Sequence, residues 1–190
     1  MSSSVGLAMI VRDAADTLPI CLESVRGIFD DCVVVDTGSR DESVSIAKEF
    51  GARVFHFSWI DDFSVARNYS FNQLKTDYAF WIDADDLLLG REYFEEMVQK
   101  CEAQNLDGVI LEYVYSVDST GAKLLQDFEP QILARSISSD VVAAQLKRRC
   151  VTTQWRERLV KNDPTWRWEY PVHEALPANG KRLGKYDKVK

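Results

Sequence analysis

The chain has little histidine, no clustered cysteine, no long apolar run and no excess of positive charge, and each shortage removes a class of function. Its two histidines, His56 and His173, are too few and too far apart to form a histidine-rich metal site by themselves. Cys21, Cys32, Cys101 and Cys150 show no C-x-x-C spacing, so zinc and disulfide roles are set aside and buried free thiols are expected. No apolar stretch approaches the roughly 20 residues of a bilayer span. The N-terminus has neither a basic n-region nor an A-x-A cleavage site, so a cytoplasmic chain without a transmembrane segment is the expectation. With 23 basic and 30 acidic residues the net charge is -7, the wrong sign for a protein that coats a nucleic-acid polymer or an anionic membrane.

What is present is 190 residues, 46% apolar and 28% charged, enough for one core and little more. The charge is unevenly spread: residues 1–146 carry 11 basic and 25 acidic side chains, whereas 147–190 carry 12 and 5. Either both regions are solvated surface, or an acidic site is faced by a basic segment that meets an anionic ligand.

Val5 to Val11 is an apolar run without alternation, the length of a strand buried on both faces, and Cys32 to Val35 repeats it with three valines. Between them Leu18, Cys21, Leu22, Val25 and Ile28 fall at helical spacing behind Asp16 or Thr17 as N-cap, which makes a βαβ unit. Ser39 to Glu42 has the S-x-x-E form of a capping box and predicts a helix through Val44, Ile46, Ala47 and Phe50, stopped at Gly51. A third strand is expected over Ala52 to Phe57. Asp61-Asp62-Phe63 then leads into a helix on which Phe63, Arg67, Ser70 and Leu74 share one stripe, so Arg67 is expected to lie against the body of the protein. Tyr78 to Ile82 reads as a fourth strand, and Tyr93, Phe94, Met97, Val98 and Cys101 as a further amphipathic helix. From Gly108 to Val117 the chain is β-rich, Asp118 to Gly121 reads as a turn, and Leu124 to Ala134 as the returning strand of a hairpin, with one more helix near Asp140 to Arg148. The whole predicts an α/β sheet, parallel first and mixed afterwards.

In open α/β sheets ligands bind beyond the carboxyl ends of the strands. Here the first strand ends in Arg12-Asp13, the second in Asp36-Thr37-Gly38-Ser39, the third is followed by Asp61-Asp62, and the fourth ends in Asp83-Ala84-Asp85-Asp86. A lone Asp after a strand is usually an N-cap or turn residue. Four along one sheet edge point further, and the Asp83-x-Asp85 pair is the sharpest signal, because carboxylates held close together repel unless a cation neutralises them. Mg2+ or Mn2+ takes oxygen ligands and typically completes its shell with substrate phosphates, which suits a diphosphate leaving group.

These segments, "LAMIVRDAADTLPICLESV", "VVVDTGSRDESVSIAKEFGARVFHFSWIDDFSVARNYSF", "FWIDADD" and the late "RLVKNDPTWRWEYPVHEAL", resemble family 2 glycosyltransferases, particularly the bacterial branch with peptide S-glycosyltransferases and tetratricopeptide-linked relatives. The resemblance runs from about residue 5 to 176, strongest to Leu89 and from Trp155 onward. It implies a GT-A fold, the Rossmann-like three-layer α/β arrangement of nucleotide-diphospho-sugar transferases, with helices on both faces of a mixed sheet. It implies one catalytic domain over 1–190, with residues 1–106 as the nucleotide-sugar-binding half and 107–190 as an acceptor-side half expected to stop short at its C-terminus.

The resemblance also implies a nucleoside-diphosphate sugar as donor, UDP favoured, Mn2+ or Mg2+ as cofactor, and inversion at the anomeric carbon. Asp36 matches the strand-two aspartate that meets the base or ribose, and Val11 and Arg12 border the same nucleotide. Asp83 matches the member of the D-x-D pair that meets ribose and sugar, and Asp85 the direct metal ligand. Arg67 and Asn68 match the "ARN" element of the donor pocket. In the late "HE" dipeptide, Glu174 is the preferred general base, with Asp86 as its rival, and His173 a third metal ligand; the bland alternative is a surface turn after Pro171. Trp166 and Trp168 are read either as an acceptor-facing ledge or as core, Trp59 to Phe63 either as a loop beside the donor or as a packed connection, and His56 as a structural strand residue.

Competing readings are a non-catalytic sugar-nucleotide binding module and a magnesium-dependent phosphatase of the haloacid dehalogenase type, whose nucleophilic aspartate normally lies on the first strand. A nucleotidyltransferase opens with a glycine-rich, arginine-containing loop where this chain has "VRDAADTLP". The acceptor, whether peptide, lipid-linked sugar or polysaccharide, and the oligomeric state are not encoded in any motif.

Overall fold

The unalternating apolar runs become the centre of a sheet. The structure, a computed structural model, describes residues 3–117, 123, 126–128, 130–131 and 138–189. Its strands are β1 (Val5–Val11), β2 (Asp31–Asp36), β3 (Arg53–His56), β4 (Tyr78–Trp81), β5 (Gly108–Val117), β6 (Cys150–Lys161) and β7 (Leu183–Tyr186). They form one sheet in the order β3-β2-β1-β4-β6-β5-β7. β1, β2, β3 and β4 are mutually parallel, β6 runs antiparallel to β4 and β5, and β7 is parallel to β5, so β6 alone is reversed.

Alternation along the central strands divides the core in two, because successive side chains leave a strand on opposite faces. Leu7, Met9 and Val11 of β1 and Phe80 of β4 meet one face, where α1 (Leu18–Ser24), α2 (Ser43–Phe50) and α4 (Phe94–Ala103) supply Leu18, Leu22, Ala47, Met97 and Cys101. Ala8, Val33, Val35, Ala79 and Trp81 meet the other, covered by Phe71 of α3 (Phe63–Gln73) and by Trp166, Trp168 and Leu176. Each large apolar side chain so buried contributes about 1.5–3 kcal/mol. The helices on both faces make the three-layer α/β arrangement expected from the sequence.

The chain's own local chemistry fixes the helix starts. Asp62 caps α3 by accepting from the Val65 amide, and Ser138 caps α5 (Ser139–Lys147) by accepting from Asp140. The capping box expected at Ser39–Glu42 does not form. α2 begins at Ser43, its N-cap Glu42 makes no side-chain bond, and Ser39 accepts instead from the Asp13 amide. Asp41 takes over the turn, accepting from the amides of Ser43 and Ala15.

The hairpin expected from 108 to 134 is also replaced. β5 pairs antiparallel with β6, from Gly108↔Val160 to Val117↔Cys150, and not with the segment that follows it. Residues 123, 126–128, 130 and 131 are helical, and the rest of the predicted returning strand and its turn lie outside the described residues. Adjacency in sequence is a weak guide here, because β6, twelve residues long, pairs with β5 along most of its length and has a second neighbour, β4, on its other side. Further on, the C-terminal stretch folds back over Gly90, whose φ is 78° and whose missing Cβ would lie 1.8 Å from the Lys188 carbonyl oxygen. Among the described residues no helix is long and apolar enough to cross a membrane.

Candidate active site

Because β1, β2 and β4 are parallel and β6 is reversed, the carboxyl ends of the first three and the early residues of β6 meet at one edge. They enclose an open cleft of about 1480 Å³. Val11 at the end of β1 and Arg12 after it, Thr37 after β2, Asp83 and Asp85 after β4, and Gln154 and Arg156 of β6 all line it.

Arg67 organises the floor. It comes from the buried stripe of α3, is 6% exposed, and donates from Nη2 to Asp83 Oδ1 at 2.7 Å and from Nε to Glu174 Oε1 at 2.9 Å. Its guanidinium also lies 4.9 Å from the ring centroids of both Trp81 and Trp168. Burial opposes its charge, but the carboxylates of Asp83 and Glu174 outweigh that and hold it firmly protonated. A buried arginine with two carboxylates is a pair-plus-one whose disruption leaves an uncompensated charge, a loss of about 3–5 kcal/mol.

The late "HE" dipeptide divides: His173 is exposed in the bend after Pro171, whereas Glu174 is drawn inward by Arg67. Glu169 and Ala175 exchange both backbone hydrogen bonds, at 2.9 and 3.0 Å, and close residues 170–174 into a loop. The Phe63 amide donates to the Pro171 carbonyl at 3.0 Å and ties that loop to the start of α3. Asn68 clamps it from below, donating to the Trp168 carbonyl and accepting from its amide, each at 2.9 Å. Tyr170 and His173 hold φ of 72° and 55°, and Asp13 across the cleft 48°. Left-handed backbone at non-glycine residues is costly and concentrates where geometry serves function. His173 and Glu174 both face the cleft.

A second arginine sits behind β4. The β5–β6 register slips between Val109↔Leu159 and Ile110↔Glu157, leaving Arg158 as the extra residue of a bulge. Arg158 is 5% exposed, donates to the Trp81 carbonyl at 3.2 Å and to Asp86 Oδ2 at 3.1 Å, and stacks 3.8 Å from the Trp81 ring. Asp86 also accepts from Tyr113 Oη at 2.9 Å, and from the Asp83 amide at 3.3 Å. Burial pushes the Asp86 carboxyl up, opposed by the Arg158 charge and reinforced by Asp83. Asp86 is thus turned away from the cleft and braces the turn that presents Asp83 and Asp85. Behind the same turn, the Cys21 thiol donates to the Asp83 carbonyl at 3.2 Å, and burial followed by the nearby carboxylates pushes it well up, as expected of an inert buried thiol.

The remaining sequence-derived site residues divide. Val11, Arg12, Arg67, Asp83, Asp85, His173 and Glu174 come together at the cleft, whereas Asp36, Asn68 and Asp86 do not line it. Asp36 spends Oδ1 on the Ser39 amide and Oδ2 on Gly38 and on His56 Nδ1. Burial raises its pKa, but the bonds from Ser39, His56 and Gly38 prevail and hold it below the usual value of 3.8. His56 is the last residue of β3, as its reading as a strand residue requires. Among the described residues no group of three His, Cys, Asp or Glu side chains could hold a metal ion, so Asp83, Asp85 and His173 are not gathered as a closed ligand set. Asp83 gives one oxygen to Arg67, a contact that D-x-D spacing does not reveal. Trp166 and Trp168 are buried in the core, not displayed as a ledge. Trp59 and Phe63 line the cleft, their ring centroids 4.7 Å apart.

No motif in the sequence singles out Arg156, Arg158 or Trp81 as a site residue. The signal that could have found them is "QWRERL", two arginines at alternate positions of an otherwise strand-like run, next to a core strand ending in Trp81.

The family described as Glycosyl transferase family 2 matches residues 7–164. Among curated proteins, a TPR repeat-containing protein of Synechococcus elongatus is 41% identical over 109 residues, 57% of this chain and 27% of that protein. The SPbeta prophage-derived glycosyltransferase SunS of Bacillus subtilis is 33% identical over 81 residues, 42% of this chain and 19% of that protein. The chain thus aligns with only a minor part of the length of the curated relatives it matches. Among solved structures, Mycobacterium tuberculosis glucosyl-3-phosphoglycerate synthase in complex with Mn2+, UDP and glucosyl-3-phosphoglycerate has a TM-score of 0.60 at 12% identity, covering 97% of this chain and 70% of that one. Staphylococcus aureus TarS in complex with UDP gives 0.51 at 16% identity, over 57% and 35%. At such identities the likeness is one of fold, and the fold is that of GT-A glycosyltransferases.

Proposed function

This chain belongs to glycosyl transferase family 2, and we propose that it takes a nucleoside diphospho-sugar across the ends of β2, β1 and β4 and transfers the sugar to an acceptor with inversion. The observation that carries this reading is the Arg67 bridge, which sets the D-x-D residue Asp83 and the late acid Glu174 on one cation at the floor of one cleft.

Inversion needs a single displacement. The acceptor's nucleophilic atom bonds to the anomeric carbon as the bond from that carbon to the diphosphate oxygen breaks, its electron pair leaving with the diphosphate. The nucleophile's proton goes to a base, a role this reading gives to Glu174. Both Nε and Nη2 of Arg67 reach the same oxygen, Oε1, at 2.9 and 2.8 Å, so Oε2 has no hydrogen-bond partner among the described residues. Asp86, engaged by Arg158 and Tyr113, is a brace in this scheme and not the base.

The residues present suit an open cation site. Asp85 makes no ion pair or hydrogen bond among the described residues, and Asp83 keeps its second oxygen, while His173 faces the same cleft. Mg2+ or Mn2+ is commonly held by one or two carboxylates together with substrate phosphates. When bound, such a cation would offset the charge of the departing diphosphate. Asp85 is its principal protein ligand in this reading.

UDP is favoured because two proteins of this fold carry it in their structures. A thermal-shift panel of UDP, GDP and dTDP with and without Mn2+ tests the reading. UDP with Mn2+ is expected to raise Tm most, and no stabilisation by any nucleotide under either condition would reject it. Donor turnover with Mn2+, lost in Glu174→Gln, separates a transferase from a non-catalytic binding module.

A further inference from the structure

Three arginines surround the Trp81 ring, and their partners differ. Arg67 holds two carboxylates and Arg158 holds one. Arg156, whose guanidinium lies 5.4 Å from the same ring centroid, makes no ion pair or hydrogen bond among the described residues, not even with its neighbour Glu157. It is half-buried and lines the cleft. A guanidinium stacked on an aromatic face is held in orientation while its N–H fork stays free, the arrangement suited to planar or tetrahedral oxyanions.

Its place in the sheet says which part of a ligand it meets. Along the edge the order is β2, β1, β4, β6, so Thr37, Arg12 and Asp83 with Asp85 come first and Arg156 lies one strand beyond them. A donor laid over β2, β1 and β4 ends at Asp83 and Asp85. What reaches β6 is the molecule that approaches from the other side of the anomeric carbon. Gln154, two residues earlier on the same face of β6, also lines this end of the cleft and offers a neutral donor and acceptor beside the charge.

We infer that Arg156, with Gln154 beside it, is the binding point for an anionic group, a phosphate ester or a carboxylate, carried by the acceptor. This rests on the transferase reading for the word acceptor, but the anion site itself stands on the unmatched guanidinium in the cleft.

The test titrates glycerol 3-phosphate, glycerate and uncharged glycerol by calorimetry into the wild-type chain and into Arg156→Met and Arg156→Lys, each with and without UDP and Mn2+. Methionine keeps much of the stem over Trp81, and the melting temperature of each variant reports whether the fold survives. At least one anion is expected to bind the wild type and to lose about ten-fold or more in affinity in Arg156→Met, the scale of a charge-assisted contact. Arg156→Lys should recover part of the loss, and glycerol should not distinguish the variants. Preference for the ester or for glycerate identifies which anion the site takes. Equal binding by wild type and Arg156→Met, or no binding of either anion to the wild type, overturns the proposal. So does a matching loss of UDP affinity in Arg156→Met, which would assign Arg156 to the donor diphosphate. Failure of UDP to bind the wild type, with anion binding still dependent on Arg156, would instead remove the transferase reading and leave the anion site standing.

Discussion

Arg67 and Glu174, 107 residues apart, meet through a single carboxylate oxygen: Nε at 2.9 Å and Nη2 at 2.8 Å both reach Oε1. The same Nη2 holds Asp83. One buried cation thus couples the end of β4 to the 170–174 loop. Two tryptophan faces, Trp81 and Trp168, flank the guanidinium and favour its charge.

Arg67→Met is expected to lower stability by about 3 kcal/mol, since Glu174, largely shielded from solvent, would be left beside Asp83 without a counter-charge. Urea unfolding checks this. Arg67→Lys should recover only part of it, because an ammonium cannot reach both carboxylates with a planar fork.

Glu174→Gln keeps the shape of the loop and a hydrogen-bonding oxygen for Arg67. Nucleotide affinity should change by less than about three-fold, while turnover falls by about 10²–10⁴, the usual worth of a positioned base. Turnover retained at near wild-type level would take Glu174 out of that role.

Asp85→Asn should leave urea stability within about 0.5 kcal/mol of wild type, because its exposed side chain has no partner among the described residues. The increment in Tm that Mn2+ adds to UDP is expected to disappear. An unchanged increment would mean that the cation is held elsewhere.

Asp36→Asn bears on acid stability. A carboxyl held below its usual value in the folded chain contributes stability above that value, and the contribution is lost as pH falls through the folded pKa. For Asp36 the window opens at the usual 3.8 and extends downward. The variant should be less stable than wild type at neutral pH, and the difference should shrink as the pH is lowered through this window, measured by thermal melts across the acid range.

Gly90→Ala should destabilise by more than the about 1–2 kcal/mol that left-handed backbone costs an L residue, since its Cβ would overlap the Lys188 carbonyl. The C-terminal stretch from Tyr186 to Val189 is expected to peel away first, and limited proteolysis would show new cleavage there.

The sequence by itself determined the central sheet and its acidic edge. Unalternating runs such as Val5–Val11 and Tyr78–Trp81 can be buried only on both faces, and the residue at which apolar character stops, as at Asp83, is a local property of the chain. The placement of Arg67 against the core followed from helical spacing on α3 in the same way. Ser39–Glu42 misled because Ser39 had a stronger use for its hydroxyl on the Asp13 amide, a contact across two loops.

What only the tertiary structure decided were the relations between distant segments. That β5 pairs with β6, and that β6 lies beside β4, depends on which strand best satisfies two neighbours at once, a competition that no single stretch encodes. That pairing brings Arg156 and Arg158 to opposite uses around one tryptophan, one in the cleft and one on Asp86. With Arg67 of α3 taking Asp83 and Arg158 taking Asp86, Asp85 is the aspartate after β4 left facing the cleft. Charge placement around this cleft is settled by partners far away in sequence, because a buried carboxylate persists only where a counter-charge or hydrogen-bond donors arrive with it.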